Sequence, residues 1–142
     1  NISPQHLEFE LTETALMRSV DDSIEVLGKL RAMGVTISID DFGTAYASLT
    51  YLKRLPVHNL KIDRSFVMDI ENSQSDAKIV EAIIHLAHSL DLAVIAEGVE
   101  TKAQLEFLQD HDCEKAQGYY FSKPTDVETA TNLLRTMHLK VS

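Results

Sequence analysis

The chain has 142 residues, enough for one domain with its own core but short of the roughly 250 that a complete eight-fold β/α barrel uses. Lys and Arg number 13 against 22 Asp and Glu, and the formal charge of −9 removes the basic footprint of a DNA or RNA binder. One cysteine, Cys113, excludes an internal disulfide framework and fits a reducing, cytoplasmic setting, and with no transmembrane-length apolar run or signal peptide this chain is expected to make no membrane contact.

Taken in order, short apolar runs alternate with helical patterns. Leu7–Thr12 reads as a strand, and after Glu13 the spacing of Val20, Ile24, Leu27 and Leu30 predicts a helix. Asp21 or Asp22 is the expected N-cap of that helix, and Gly34 suits its C′ position. Val35–Ile39 is β-branched at most positions and reads as the next strand. A loop at Asp41-Phe42-Gly43-Thr44 and a short helix over Tyr46–Arg54 follow, stopped near Pro56. Asn59–Ile62 is the third strand, and Asn72-Ser73-Gln74-Ser75 is expected to be a soft loop. Asp76 is placed as the cap of a long helix facing inward through Ile79, Ile83, Leu86 and Leu90. Leu92–Ala96 is the fourth strand, and Thr101-x-x-Gln104 is a capping box that opens another helix. Ala116–Tyr120 is the fifth strand; Asp126 then caps a last helix with Val127, Ala130, Leu133 and Leu134 turned inward.

Each of the five strands ends in residues that can do chemistry. They are Glu10 and Glu13, Asp40 and Asp41, Lys61 and Asp63, Glu97 and Glu100, and Gln117. Acids and a lysine at the carboxyl ends of successive strands point to α/β architecture, a (β/α) TIM-like barrel whose active site lies on that face. Five βα units make the barrel incomplete. Asn1 in place of an initiator Met leads us to expect a single truncated domain over residues 1–142, cut from a longer parent that is free to carry a membrane anchor elsewhere. Three further strands would precede it. Otherwise a homodimer or similar association is expected to cover the two open sheet edges.

Five motifs carry a family resemblance: Glu8-Phe9-Glu10-Leu11-Thr12-Glu13, Asp40-Asp41-Phe42-Gly43-Thr44, Lys61-Ile62-Asp63-Arg64-Ser65-Phe66, Ala96-Glu97-Gly98-Val99-Glu100-Thr101, and Gln117-Gly118-Tyr119-Tyr120-Phe121-Ser122-Lys123-Pro124. In this order they resemble the EAL domain, the bacterial phosphodiesterase that linearises cyclic di-GMP to pGpG. The Glu-Ala-Leu signature strand and a metal-binding Asn of that family are not among these residues, and Ala45 stands where the family usually has Gly.

The resemblance implies a cytoplasmic, metal-dependent hydrolase with two Mg²⁺ or Mn²⁺ ions and cyclic di-GMP as its partner. On that analogy Glu10 and Asp40 bind metal directly and Asp41 contributes to the second ion. Lys61 would orient the attacking water or neutralise the phosphate, and Glu97 is the candidate general base. Glu13 would tie down the Asp41–Thr44 loop, Gln117 would hold a water or the nucleotide, Asp63 would support the metal site, and Glu100 would contact ligand. The alternative is a truncated, catalytically weak or inactive module that binds cyclic di-GMP or mediates dimerisation.

Other eye-catching residues are given plainer roles. Arg64 is read as a helix-end or surface ion pair rather than a phosphate contact. Alternate residues of Tyr119, Tyr120 and Phe121 are expected to fill the core, with at most one reaching the ligand. His85 and His88 fall on a helix outside the barrel. His111-Asp112-Cys113 lies in a helix-to-strand turn and cannot form a triad, which leaves Cys113 a buried or half-buried free thiol.

Overall fold

β-Branched residues and leucines build the strands. In the computed structural model, which describes residues 2–16, 19–44 and 49–137, β1 (Glu8–Thr12), β2 (Thr36–Phe42), β3 (Asn59–Ile62), β4 (Ala93–Ala96) and β5 (Lys115–Ala116) lie side by side in chain order. Every pairing is parallel, so each connection must cross over, and helices carry the crossovers. These are α1 (Glu13–Leu16) and α2 (Val20–Ala32), α3 (Leu49–Leu52), α4 (Arg64–Val67) and α5 (Gln74–Ser89), α6 (Lys102–Asp110), and α7 (Val127–Met137) after the last strand. The result is an α/β arc of five βα units. Among the described residues β1 and β5 do not meet, so the sheet does not close.

Strand alternation gives the sheet two unlike faces. Ile37, Ile39, Leu60, Ile62, Val94 and Ala96 are buried and share one core with Leu27, Val80, Ile84, Ala87 and Leu108 of the helices. On β1, β2 and β3 the opposite face carries polar residues. There Asn59 Nδ2 donates to Glu8 Oε1 at 3.0 Å and to Ser38 Oγ at 2.9 Å, and Ser38 donates to the same Glu8 carboxylate. These bonds satisfy groups that would be costly to bury alone.

β2 runs further than its apolar run. It continues through Asp40 and Asp41 to Phe42, which pairs with Ile62 after a register shift that begins at Ile39. Asp41 takes a positive φ of 53° within that irregular stretch, so a bulge, not a loop, carries the two aspartates. The predicted helix over Tyr46–Arg54 is helical at Leu49–Leu52, and positions 45–48, with Ala45, lie outside the described residues.

Two caps differ from expectation. Ser19, not Asp21 or Asp22, precedes α2; the two acids occupy its first turn, where the helix dipole favours negative charge, and Ser19 Oγ donates to Asp22 Oδ2 at 2.5 Å. Ser73 caps α5 by accepting from the Asp76 backbone N–H at 3.2 Å, so Gln74 and Ser75 are helical and not part of a loop. Gly34 has the positive φ expected past a helix end, +89°. The capping box at Thr101 and Gln104 is present with both of its bonds.

The C-terminal elements also depart from the pattern. Asp126 caps α7 through the Thr129 N–H at 2.9 Å. Yet Val127 is 84% and Leu134 65% exposed, while Ala130 and Leu133 are half-buried. β5 is two residues long and is one of the two edge strands of the sheet.

Candidate active site

Lys61 anchors the site. It sits on the polar face of β3, only 3% exposed, with Nζ 2.7 Å from Glu10 Oε1, 3.0 Å from Asp40 Oδ1 and 2.6 Å from Glu97 Oε1. The three carboxylates come from β1, β2 and the residue just past β4, so parallel pairing in chain order brings them together. An ammonium has three protons, and three acceptors surround this one. Burial pulls the Lys61 pKa down, but the bonds to Glu10, Glu97 and Asp40 outweigh it and hold the group above the ordinary lysine range. The three carboxylates therefore favour the charged form of Lys61.

Gln117, the residue after β5, donates its Nε2 to Glu97 Oε1 at 2.6 Å. One oxygen of Glu97 is thus held by both Lys61 and Gln117, which fixes the orientation of the carboxylate.

The bulge in β2 turns Asp41 toward the same place. Asp40, Asp41 and Glu97, all half-buried, each offer an oxygen within 4.8 Å of the other two. The Asp41 pKa is raised, first by loss of hydration and then by the negative charges of Asp40 and Asp63, with Lys61 acting in the opposite sense. Negative charge is therefore in local excess over what Lys61 neutralises, and hard oxygen donors in this spacing suit a divalent cation.

The loop beyond β2 is pinned from below. Buried Glu13, the first residue of α1, accepts from the Gly43 backbone N–H at 3.2 Å, while its other oxygen has no partner among the described residues. Gly43 has a φ of +97°, and a Cβ there would come within 3.0 Å of the Phe66 ring. Asp63 caps α4 by accepting from the Ser65 N–H at 2.9 Å and from the Ser65 hydroxyl, and its negative charge helps raise the Asp41 pKa.

Glu10, Asp40, Asp41, Lys61, Asp63, Glu97 and Gln117 thus form one connected constellation, with Glu13 one step behind it. Glu100 stands apart. Its side chain lines an adjoining cavity of about 610 Å³ that starts at Glu97 and Gln117 and is bounded by Arg64, Tyr119 and α7.

Two expectations fail around this cavity. Tyr119, Tyr120 and Phe121 do not continue a strand or fill the core: the chain turns after Gln117 and leaves all three exposed, Tyr119 by 52%. Gly118 permits this because its Cα lies so close to Val99 that a Cβ would fall 2.2 Å from the Val99 carbonyl oxygen. The Val99 backbone then bonds to Gln117 O at 3.1 Å and to Tyr120 N at 2.9 Å, which wraps residues 117–120 around it. Arg64, read as a helix-end residue or a surface ion pair, opens α4 but makes no ion pair among the described residues; its Nε donates to Met68 Sδ at 3.2 Å.

His85 is exposed on α5 and His88 bonds Glu114 at 2.9 Å, both away from the strand-end cluster. Cys113 is half-buried and free, and burial pushes its thiol up to about 11. The Glu8–Ser38–Asn59 group escaped the sequence reading. A period-two stripe of polar residues, with Glu8 and Glu10, Ser38 and Asp40, and Asn59 and Lys61 on one face, was the available signal.

Comparison with known proteins bears on the same residues. A family model described as the EAL domain matches residues 1–124. The cyclic di-GMP phosphodiesterase NbdA of Pseudomonas aeruginosa is 54% identical over 129 residues, which are 91% of this chain and 16% of NbdA. Among solved structures, a PaMucR phosphodiesterase in complex with c-di-GMP superposes with a TM-score of 0.87 at 50% identity, over 91% of this chain and 52% of that one. Klebsiella pneumoniae BlrP1, solved with manganese and cy-diGMP, gives 0.78 at 35% identity, over 87% of this chain and 31% of that one. The chain therefore spans about half of one solved relative and about a sixth of the curated one.

Proposed function

This chain belongs to the EAL domain family, and we propose that its site hydrolyses cyclic di-GMP to linear pGpG with Mg²⁺ or Mn²⁺. The observation that carries the reading is Lys61 gripping carboxylates from three strands beside the Asp40–Asp41–Glu97 triplet. Relatives that act on or bind cyclic di-GMP, one of them with manganese, support the substrate and the metal.

Glu10, Asp40 and Asp41 are the residues that would hold divalent ions, with Glu97 beside them. Such ions supply Lewis-acid charge for a phosphate and lower the pKa of a nearby water. The rest falls to the chain's own groups. Lys61, with its pKa held above the ordinary lysine range, is not the base; it neutralises charge on the phosphate and holds the carboxylates together. Glu97 Oε1 is taken by Lys61 and Gln117, so Oε2 is the oxygen that accepts the proton of the attacking water. Water oxygen bonds to phosphorus, the P–O3′ bond breaks, the departing oxygen takes a proton, and the ring opens to pGpG.

A second reading has its own observation. On the β1 edge Ile2 and Leu7 are exposed and Phe9 is 47% exposed, and β1 and β5 each have one unpaired side among the described residues. A module that binds the dinucleotide or self-associates without turnover would use those edges. Residues 1–142 are treated in both readings as one truncated domain.

Incubating the chain with cyclic di-GMP and manganese, and resolving products by chromatography beside a Glu97→Gln variant, separates the two. We expect pGpG from the natural sequence and none from the variant. Intact dinucleotide in both samples, with calorimetric binding retained, would transfer the assignment to the binding module.

A further inference from the structure

The geometry points to Arg64 as the residue that reads the O6/N7 edge of one guanine, an inference that rests on cyclic di-GMP being the ligand of this site. Arg64 opens α4 directly after Asp63, and its stem lies across the Cα of Gly98, the residue after Glu97. A methyl group on Gly98 would come within 2.6 Å of the Arg64 Cγ and 2.8 Å of its Cβ, and Gly98 has a φ of +70° that disfavours side chains in any case. Glycine at this position lets the arginine lie flat on the strand-end backbone. Arg64 is thereby placed in the wall of the cavity that begins at Glu97 and Gln117.

Its charge is unspent there. In a chain of net charge −9, the Arg64 side chain makes no ion pair among the described residues, and its one hydrogen bond among them is to the Met68 sulfur. Glu100 lines the same cavity and makes no ion pair among the described residues either, so a residue with a donor fork and one with an acceptor line one space without pairing with each other.

Guanine matches that pair. It offers O6 and N7 as adjacent acceptors, which a guanidinium bonds in bidentate fashion, and N1–H and N2–H donors on the next edge, which suit a carboxylate. Adenine places an N6 donor where guanine has O6, so the same arginine would meet a donor. A phosphate fits less well, because Glu100 would repel it. The other walls suit a base as well: Tyr119, Leu133 and Leu134 are apolar surface, and about 610 Å³ lies within the size range of ligand pockets. Leu133 and Leu134 belong to α7, beyond the residues matched by the family model, so this wall is set by the chain's own last helix.

The test is equilibrium binding of cyclic di-GMP and cyclic di-AMP to this chain by calorimetry in calcium, with the absence of product checked by chromatography. Arg64 is exposed, and far-UV circular dichroism would verify that its variants keep the fold. We expect Arg64→Ala to weaken cyclic di-GMP about tenfold or more and leave cyclic di-AMP unchanged. Arg64→Gln should move the preference toward the adenine dinucleotide, because glutamine pairs with adenine N6 and N7. Equal weakening of both dinucleotides would assign Arg64 to phosphate and overturn base reading. No change in either would return it to the surface. If the natural sequence binds neither dinucleotide, the ligand assignment itself falls, and Arg64 falls with it.

Discussion

Lys61 shows how one buried cation can organise a site. Three carboxylates converge on it, and without it Glu10, Asp40 and Glu97 would repel one another. Lys61→Met should keep the fold, since the carboxylates are partly hydrated, but lower kcat for cyclic di-GMP by about 10²–10³ as transition-state charge loses its partner. Steady-state kinetics on a soluble variant would show it, and an undiminished kcat would remove Lys61 from the chemistry.

His58 makes a different prediction, about stability. Its Nδ1 accepts from the Ile37 N–H at 3.1 Å, which requires an unprotonated Nδ1. Burial lowers the His58 pKa from 6.5, the Arg31 charge lowers it further, and Glu8 opposes both. Because the folded pKa lies below the unfolded one, the unfolded chain takes up the proton first as pH falls. The contribution of neutral His58 is whole above about pH 6.5 and is lost as pH drops from there through the lower folded value. Urea midpoints should decline between pH 7.5 and 5.5, and His58→Asn, which keeps an acceptor but does not titrate, should flatten that decline.

At the scale of elements, local chemistry decides where helices start. Thr101 accepts from the Gln104 N–H at 3.1 Å, Gln104 returns a bond to the Thr101 N–H at 3.0 Å, and the Thr101 hydroxyl also reaches Glu71. Gln104 further donates to Met68 O at 3.2 Å, which ties the start of α6 to the end of α4. Thr101→Ala should cost about 1 kcal/mol of stability by urea denaturation. A larger loss would mean that the Glu71 bond matters beyond the cap. The bulge in β2 works in the opposite direction from a cap. It interrupts regular pleating so that two consecutive aspartates, which a flat strand would send to opposite faces, both reach the strand-end cluster.

At the scale of the molecule, the arc has a closed middle and open ends. Val94, Leu60 and Ile37 lie in strands flanked on both sides, whereas β1 and β5 each have one unpaired side among the described residues. Unpaired parallel edges beside exposed Phe9 and Leu7 are a surface for pairing. Sedimentation velocity should therefore show the chain self-associating as its concentration rises, and Phe9→Lys should shift it toward monomer. A natural sequence that stays monomeric throughout would show that the edges are blunted by other means. Among the described residues no helix is long and apolar enough to cross a membrane.

Much of this was readable from residue order alone, because the determining interactions are local. Five apolar runs, the Thr101–Gln104 box and the acids at strand ends depend on neighbours within a few residues, and parallel order makes those ends converge. The motif set also carried the family, since its spacing follows the strands that present it. Other features depend on contacts between distant segments. Three carboxylates on one ammonium, Gln117 on Glu97, and Arg64 laid over Gly98 join residues that only crossover topology brings within bonding distance. The same holds for Tyr119 and its neighbours: their composition favours a strand, but Gly118 pressed against the Val99 backbone turns the chain away from the sheet. Propensity sets where an element can form. Packing against a partner far away in the chain decides where it stops and what its side chains touch.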